Sequence, residues 1–185
     1  HHRIRHMVGL SLLETMRALI PDAREETHSK AASLYRDAFV ELRQGGRIHE
    51  PLYDGLSDLL DRLEDSGWLL AVATGKSDRG LSHMLAAHGL SGRFISLQTA
   101  DRHPSKPHPS MIHAALSDSG CRPEDTYMIG DTAYDIVMAS NAQVLGVGVD
   151  WGYHHADDLN SAGAVTVAKT MDELGDFLLE QESRA

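Results

Sequence analysis

Three apolar runs in this chain are each followed at once by residues suited to handling a small anion. Trp68 to Ala73 leads into Thr74-Gly75-Lys76-Ser77, and Phe94 to Thr99 leads through a loop to Ser105-Lys106-Pro107-His108-Pro109. Tyr127 to Ile129 leads into Gly130-Asp131-Thr132-Ala133-Tyr134-Asp135. Asp131 and Asp135 lie four residues apart at a predicted helix start, so both carboxylates can face one point. Two anions held together need a cation. Carboxylate oxygens without Cys or paired His suit a hard ion that keeps water and accepts a phosphate oxygen, which is Mg²⁺. The same two residues also suit capping of the helix that follows and complementing its dipole.

The Thr74 hydroxyl and the Gly75 N–H are the donors a phosphoryl group takes from a turn. Lys106, held between a loop and Pro107, can offset carboxylate and phosphate charge. Taken singly, Thr74 reads equally as a helix N-cap, and Lys76 and Lys106 as solvated charges. A nucleotide-binding P-loop would need glycine five residues before Gly75, where Leu70 stands. The 12 histidines are scattered, with no His-Glu-x-x-His, and read as surface or core residues. Cys121 is the single cysteine, so it has no disulfide partner within the chain and no thiol-nucleophile signature around it. Trp151 to His154 follows a predicted strand and either borders the site or packs on the core.

These residues need a scaffold that carries strand ends to one edge. Leu12, Met16 and Leu19, then Tyr35, Phe39 and Leu42, recur at helical spacing, with Pro21-Asp22 between them. After Gly45-Gly46 the pattern changes, which puts a domain boundary near Gly46 to Pro51: residues 1–48 form a helical unit and residues 49–185 a core. Helices are expected on Leu56 to Leu63, around Leu81 to Leu85, on Ser110 to Ser119, on Asp135 to Ser140, and after the Thr170/Glu173 capping box. Strands are expected at Trp68 to Ala73, Phe94 to Leu97, Tyr127 to Ile129, Val144 to Val149 and Val165 to Val167. Such alternation implies an α/β fold, a parallel sheet with helices on both faces, whose ligands bind beyond the carboxyl ends of the strands. The 185 residues suit one domain with a small accessory one, and a net charge of −10 argues against nucleic-acid binding. With neither a long apolar run nor a signal-like start, the expectation is a cytoplasmic protein without membrane contact.

In this order and spacing, Thr74 after a strand, Lys106-Pro107-x-Pro109 and Gly130-Asp131-Thr132-x-x-Asp135 resemble the second, third and fourth motifs of the haloacid dehalogenase superfamily. The likeness is closest to its phosphoglycolate-phosphatase-like branch. Leu52-Tyr53-Asp54-Gly55, Ala71 to Ser77, Thr99-Ala100-Asp101 and Gly148 to His154 are similar to the same branch. The resemblance implies a Rossmann-like core with a helical cap, of which residues 1–48 are part. It further implies a Mg²⁺-dependent phosphatase acting on a small phosphorylated metabolite, with Thr74 and Gly75 holding phosphoryl oxygens. Lys106 would then stabilise the nucleophile and the transferring charge, and Asp131 and Asp135 would hold the metal.

The family's nucleophile is the first Asp of Asp-x-Asp-Gly-Thr at the end of a central first strand, and no Asp-x-Asp occurs in this chain. The resemblance therefore implies a further strand, loop and part of a helix, on the order of 20–30 residues. That strand would lie between those ending at Thr74 and at Ile129, in a segment preceding His1. Two smaller departures stand out. Gln143 follows Asn141-Ala142 where glycine is common, which affects a turn. Leu12 follows Gly9-Leu10-Ser11 where phosphomutase relatives carry a basic residue. The alternatives are a phosphomutase or phosphotransferase on the same scaffold, and a catalytically inactive binding protein.

Overall fold

Leu56, Leu59, Leu60 and Leu63 form one stripe of a helix, and the layers of the fold build on it. The computed structural model describes residues 6–182. Two helices come first, α1 (Leu12–Leu19) and α2 (Glu25–Gln44), packed on each other. Ser11 caps α1, its hydroxyl accepting the Glu14 N–H, and Gly45 ends α2. The core follows as α3 (Leu56–Asp65), β1 (Ala71–Thr74), α4 (Asp78–Ala87), β2 (Ser96–Thr99), α5 (Ser110–Ser119), β3 (Tyr127–Gly130) and α6 (Ala133–Asn141). It ends with β4 (Leu145–Val149), α7 (Ala156–Ser161), β5 (Thr166–Ala168) and α8 (Met171–Glu182). No helix among the described residues is long and apolar enough to cross a membrane.

All strand pairings are parallel, as alternation with helices requires. Successive residues point to opposite faces, so both faces must be covered. Ala73 and Met128 meet Met111 and Ile112 of α5 and Met138 and Ala139 of α6. On the other side, Val72 and Leu97 meet Leu60 of α3 and Leu81 and Leu85 of α4. Val147, Val149 and Ala168 pack with Leu59 and Leu63 of α3 and Leu174 and Leu178 of α8.

The strands form two sheets, β1–β2 and β3–β4–β5, with no ladder between β1 and β3 among the described residues. This break falls where the family resemblance places a further strand. A cleft of about 1840 Å³ opens there, with Thr74 and Gly75 lining it from the β1 side and Ile129 and Gly130 from the β3 side.

Strand boundaries differ from expectation in ways that matter locally. The strand expected over Trp68 to Ala73 runs from Ala71 to Thr74, because Trp68 still ends the preceding helix by donating its N–H to the Leu63 carbonyl. Its ring stacks edge-on against Tyr127, 5.8 Å between centroids. Thr74 is therefore the last strand residue, in register with Thr99. The strand expected over Phe94 to Leu97 is displaced to Ser96–Thr99, since a turn closes Arg93 onto Leu90. Gln143 takes φ 60, a left-handed conformation that favours glycine.

Two outcomes follow in urea unfolding of the protein. Met138 is fully buried between the α5 and α6 layers, so Met138→Ala lowers stability by about 2–5 kcal/mol. Gln143→Gly relieves the left-handed strain and raises stability by up to about 1 kcal/mol, less whatever the freer unfolded chain takes back.

Candidate active site

The turn after β3 needs space for two carboxylates, and two glycines provide it. A Cβ on Gly130 would stand 2.2 Å from the Asp135 Cβ, and one on Gly152 would stand 2.1 Å from the Asp131 Cβ. Neither clash could be relieved without moving the carboxylates. Asp131 is gripped by the loop after β4: its Oδ2 accepts the Tyr153 N–H at 3.1 Å, and its carbonyl accepts the His154 N–H at 3.1 Å. His154, buried, returns the grip by accepting the Ala133 N–H at Nδ1, 3.0 Å, at the start of α6.

Asp135 is buried with both oxygens engaged. Oδ1 receives the Lys106 ammonium at 2.6 Å, and Oδ2 accepts the Thr132 hydroxyl at 2.7 Å and the Thr132 N–H at 3.1 Å. Lys106 is buried as well. Asp135 therefore performs the helix-capping role that its position also suited, through a capping box with Thr132, and fixes the lysine at the same time. Asp131 is the carboxylate with capacity left for a cation. Burial pushes its pKa above the ordinary carboxylate value, and the nearby Asp135 adds to the rise. A hard oxygen donor of this kind, with no sulfur beside it and a backbone cradle behind it, fits Mg²⁺.

Thr74 and Gly75 line the same cleft as Lys106, Asp131 and Asp135. Thr74 does not cap α4; Ser77 does, accepting the Gly80 N–H. The Thr74 hydroxyl accepts the Lys76 N–H at 3.2 Å, which holds the turn around Gly75. Lys76, one of the residues expected as a solvated charge, is paired with Glu50 at 2.7 Å, and Glu50 also binds Arg43 of α2.

The segment before α1 crosses the cleft. The Leu10 carbonyl oxygen lies 2.9 Å from where a Gly75 Cβ would be, Gly9 sits against Thr132, the Ser11 N–H donates to Ser105 Oγ at 2.7 Å, and the Tyr134 hydroxyl donates to the His6 carbonyl at 3.1 Å. All three core loops are touched. Sequence reasoning named Gly9, Ser11, Ser105, Thr132 and His154 only within their motifs, without these contacts, and missed Glu50. The Thr-x-x-Asp spacing of Thr132 and Asp135 was a readable signal for their contact; nothing local marked Glu50.

His6, His154 and Asp158 bring one ligand atom each within 4.8 Å of one another. With Nδ1 of His154 accepting from Ala133, however, its Nε2 carries the proton and cannot ligate a metal.

The haloacid dehalogenase-like hydrolase family matches residues 1–149. The chain belongs to that family. As a haloacid dehalogenase-like hydrolase it is 33% identical to the probable phosphatase IndB of Dickeya dadantii, over 92% of this chain and 75% of that protein. It is 26% identical to a phosphoglycolate phosphatase of Vibrio vulnificus, over 94% of this chain and 75% of the relative. The crystal structure of a predicted phosphatase from Clostridium acetobutylicum superposes with a TM-score of 0.81 at 29% identity, covering 92% of this chain and 78% of the other. The α/β fold with parallel sheets is that of these hydrolases.

A carboxyl whose pKa rises on folding favours the protonated form in the folded state. The cost is absent below the unfolded pKa and grows until pH passes the folded one. Asp131→Asn accordingly raises the Tm of the protein in EDTA at neutral pH, and the gain disappears in acid; thermal unfolding across pH measures both.

Proposed function

We propose that this protein is a Mg²⁺-dependent phosphatase for a small, phosphoglycolate-like phosphomonoester, with residues 1–48 contributing to a helical cap and residues 49–185 to the core. The observation that carries the reading is the convergence of Thr74, Gly75, Lys106 and Asp131 on one cleft that runs into the break between β1 and β3. A strand entering that break would present its carboxyl end among these residues. We assign it to a segment preceding His1 that carries the nucleophilic Asp and, two residues later, the acid/base Asp.

That nucleophile attacks phosphorus, the ester oxygen leaves with a proton from the second Asp, and the aspartyl-phosphate is then hydrolysed by water. The Thr74 hydroxyl and Gly75 N–H hold non-bridging oxygens. The Lys106 ammonium, aimed by Asp135, offsets the charge of the nucleophile and of the transferring group. Asp131 would hold Mg²⁺, with Asp135 assisting through Lys106 or a bound water; when bound, the ion neutralises charge on the phosphoryl oxygens. The segment from His6 to Ser11, lying on all three loops, keeps water out and presents the cap side of the cleft to the substrate. Leu12 at the start of α1 offers no charge to a second phosphate, which favours hydrolysis over mutase chemistry.

The test uses the protein with its preceding segment, assayed with Mg²⁺ on a panel of small phosphomonoesters. Expected are release of free phosphate and a loss of turnover by about two orders of magnitude or more in Asp131→Asn, with folding retained, and in Lys106→Met, which also lowers stability by leaving the buried Asp135 carboxylate unpaired. Phosphate found on an acceptor hydroxyl would select the phosphotransferase alternative. Ester binding without turnover would select the inactive binding protein. A preceding segment without a strand ending in Asp-x-Asp would overturn the mechanism.

A further inference from the structure

We infer that His103 and Ser110 are positioning residues for Lys106, the His103 ring clasping together the two feet of the loop that presents the lysine. The inference rests on the role given to Lys106 above. Its structural basis is a chain of side-chain hydrogen bonds that the proposed chemistry does not use. His103 Nδ1 lies 2.7 Å from Ser110 Oγ, and His103 Nε2 lies 2.8 Å from Gln98 Oε1. Gln98 Nε2 lies 2.7 Å from Ser96 Oγ and 2.8 Å from Asp118 Oδ2, and Ser96 Oγ donates to the same Asp118 oxygen at 2.7 Å.

The donor and acceptor directions in this chain are determined from one end. An ionised Asp118 only accepts, so the Gln98 amide must turn its NH₂ toward Asp118 and Ser96. Its oxygen then faces His103, whose Nε2 must carry the proton. The remaining lone pair on Nδ1 receives the Ser110 hydroxyl hydrogen. Every bond is satisfied by a neutral His103, and burial, with the nearby Arg102 and His108, holds its pKa below the ordinary value.

The geometry ties this chain to Lys106. His103 and Ser110 bracket the loop in which Lys106 lies, and Gln98 belongs to buried β2, so the clasp fixes both feet of the loop to the sheet. Two further contacts steady the loop's span: the Ser11 N–H on Ser105 Oγ, and Asn141 Nδ2 on the Pro107 carbonyl at 3.0 Å. Only with the loop so held does the lysine stem place Nζ at 2.6 Å from Asp135. Opening the clasp frees the ammonium to move without touching Asp135 itself.

Ser110 is the residue to change, because alanine at this helix position is at least as good a helix former and leaves the fold intact. Threonine keeps the hydroxyl. In the protein with its preceding segment, lysine acetylation by an N-hydroxysuccinimide ester is followed by peptide mass spectrometry, with exposed Lys30 and Lys169 as internal references. Ser110→Ala is expected to raise the Lys106 labelling rate by about three- to tenfold, with the references unchanged, and Ser110→Thr to restore it. In phosphatase assays Ser110→Ala lowers kcat by a similar factor with KM within about twofold, again restored by threonine. Equal Lys106 labelling in wild type and Ser110→Ala, or a loss that threonine does not restore, overturns the clasp. The labelling needs no turnover, so a protein without phosphatase activity that still shows the labelling change would sink the functional reading and leave the clasp standing.

Discussion

Removing the Lys106 ammonium and the Asp135 carboxylate from water costs several kcal/mol per ion, and their contact returns it only if the remaining hydrogen-bonding capacity is met. The structure meets it. Asp135 spends its second oxygen on the Thr132 N–H and hydroxyl, so the pair is also the N-terminal cap of α6. One carboxylate thereby starts a helix, aims a buried lysine into the cleft and joins two segments 29 residues apart in sequence. Losing it would leave a buried ammonium uncompensated and a helix uncapped, which is why the site and the stability of this part of the core cannot be separated.

Asp131 is arranged in the opposite sense. Its carboxylate accepts one backbone N–H, stands near Asp135 and is held against Gly152, and its ionisation is disfavoured in the absence of a cation. The protein bears a local electrostatic cost at this residue that a bound divalent ion would relieve. The two aspartates, four residues apart, are therefore held differently: Asp135 is neutralised internally by Lys106, and Asp131 is gripped by the backbone of the loop after β4.

Helical pair and core meet through contacts spread over the loops at the strand ends. Glu50 lies in the linker between α2 and α3, yet it binds Lys76 beside the Thr74-Gly75 turn and Arg43 on α2, while its carbonyl lies 2.8 Å from His88 Nε2. With Ser11 on Ser105 and Gly9 against Thr132, the contacts of the pair reach each loop that the strand ends project. The cleft is thus bounded on one side by residues of the sheet and on the other by residues whose own fold is only two helices.

The chain's period-3.6 stripes and short continuous apolar runs determined the element types and the parallel α/β class, because a stripe records the buried face of a helix and a continuous run a strand covered on both faces. The spacing of Thr74, Lys106, Asp131 and Asp135 after apolar runs was sufficient to put them at one sheet edge, and the position of the break between β1 and β3 was an expectation that came with the family resemblance rather than from any local pattern. Sequence alone could not say which of Asp131 and Asp135 caps the helix, since both sit at the right spacing; the Thr132 contacts and the approach of Lys106 across 29 residues give that part to Asp135. Nor could it reveal His154 under Ala133, Glu50 on Lys76 or His103 on Ser110, because those contacts depend on which loops the fold brings side by side, and local spacing carries no record of that.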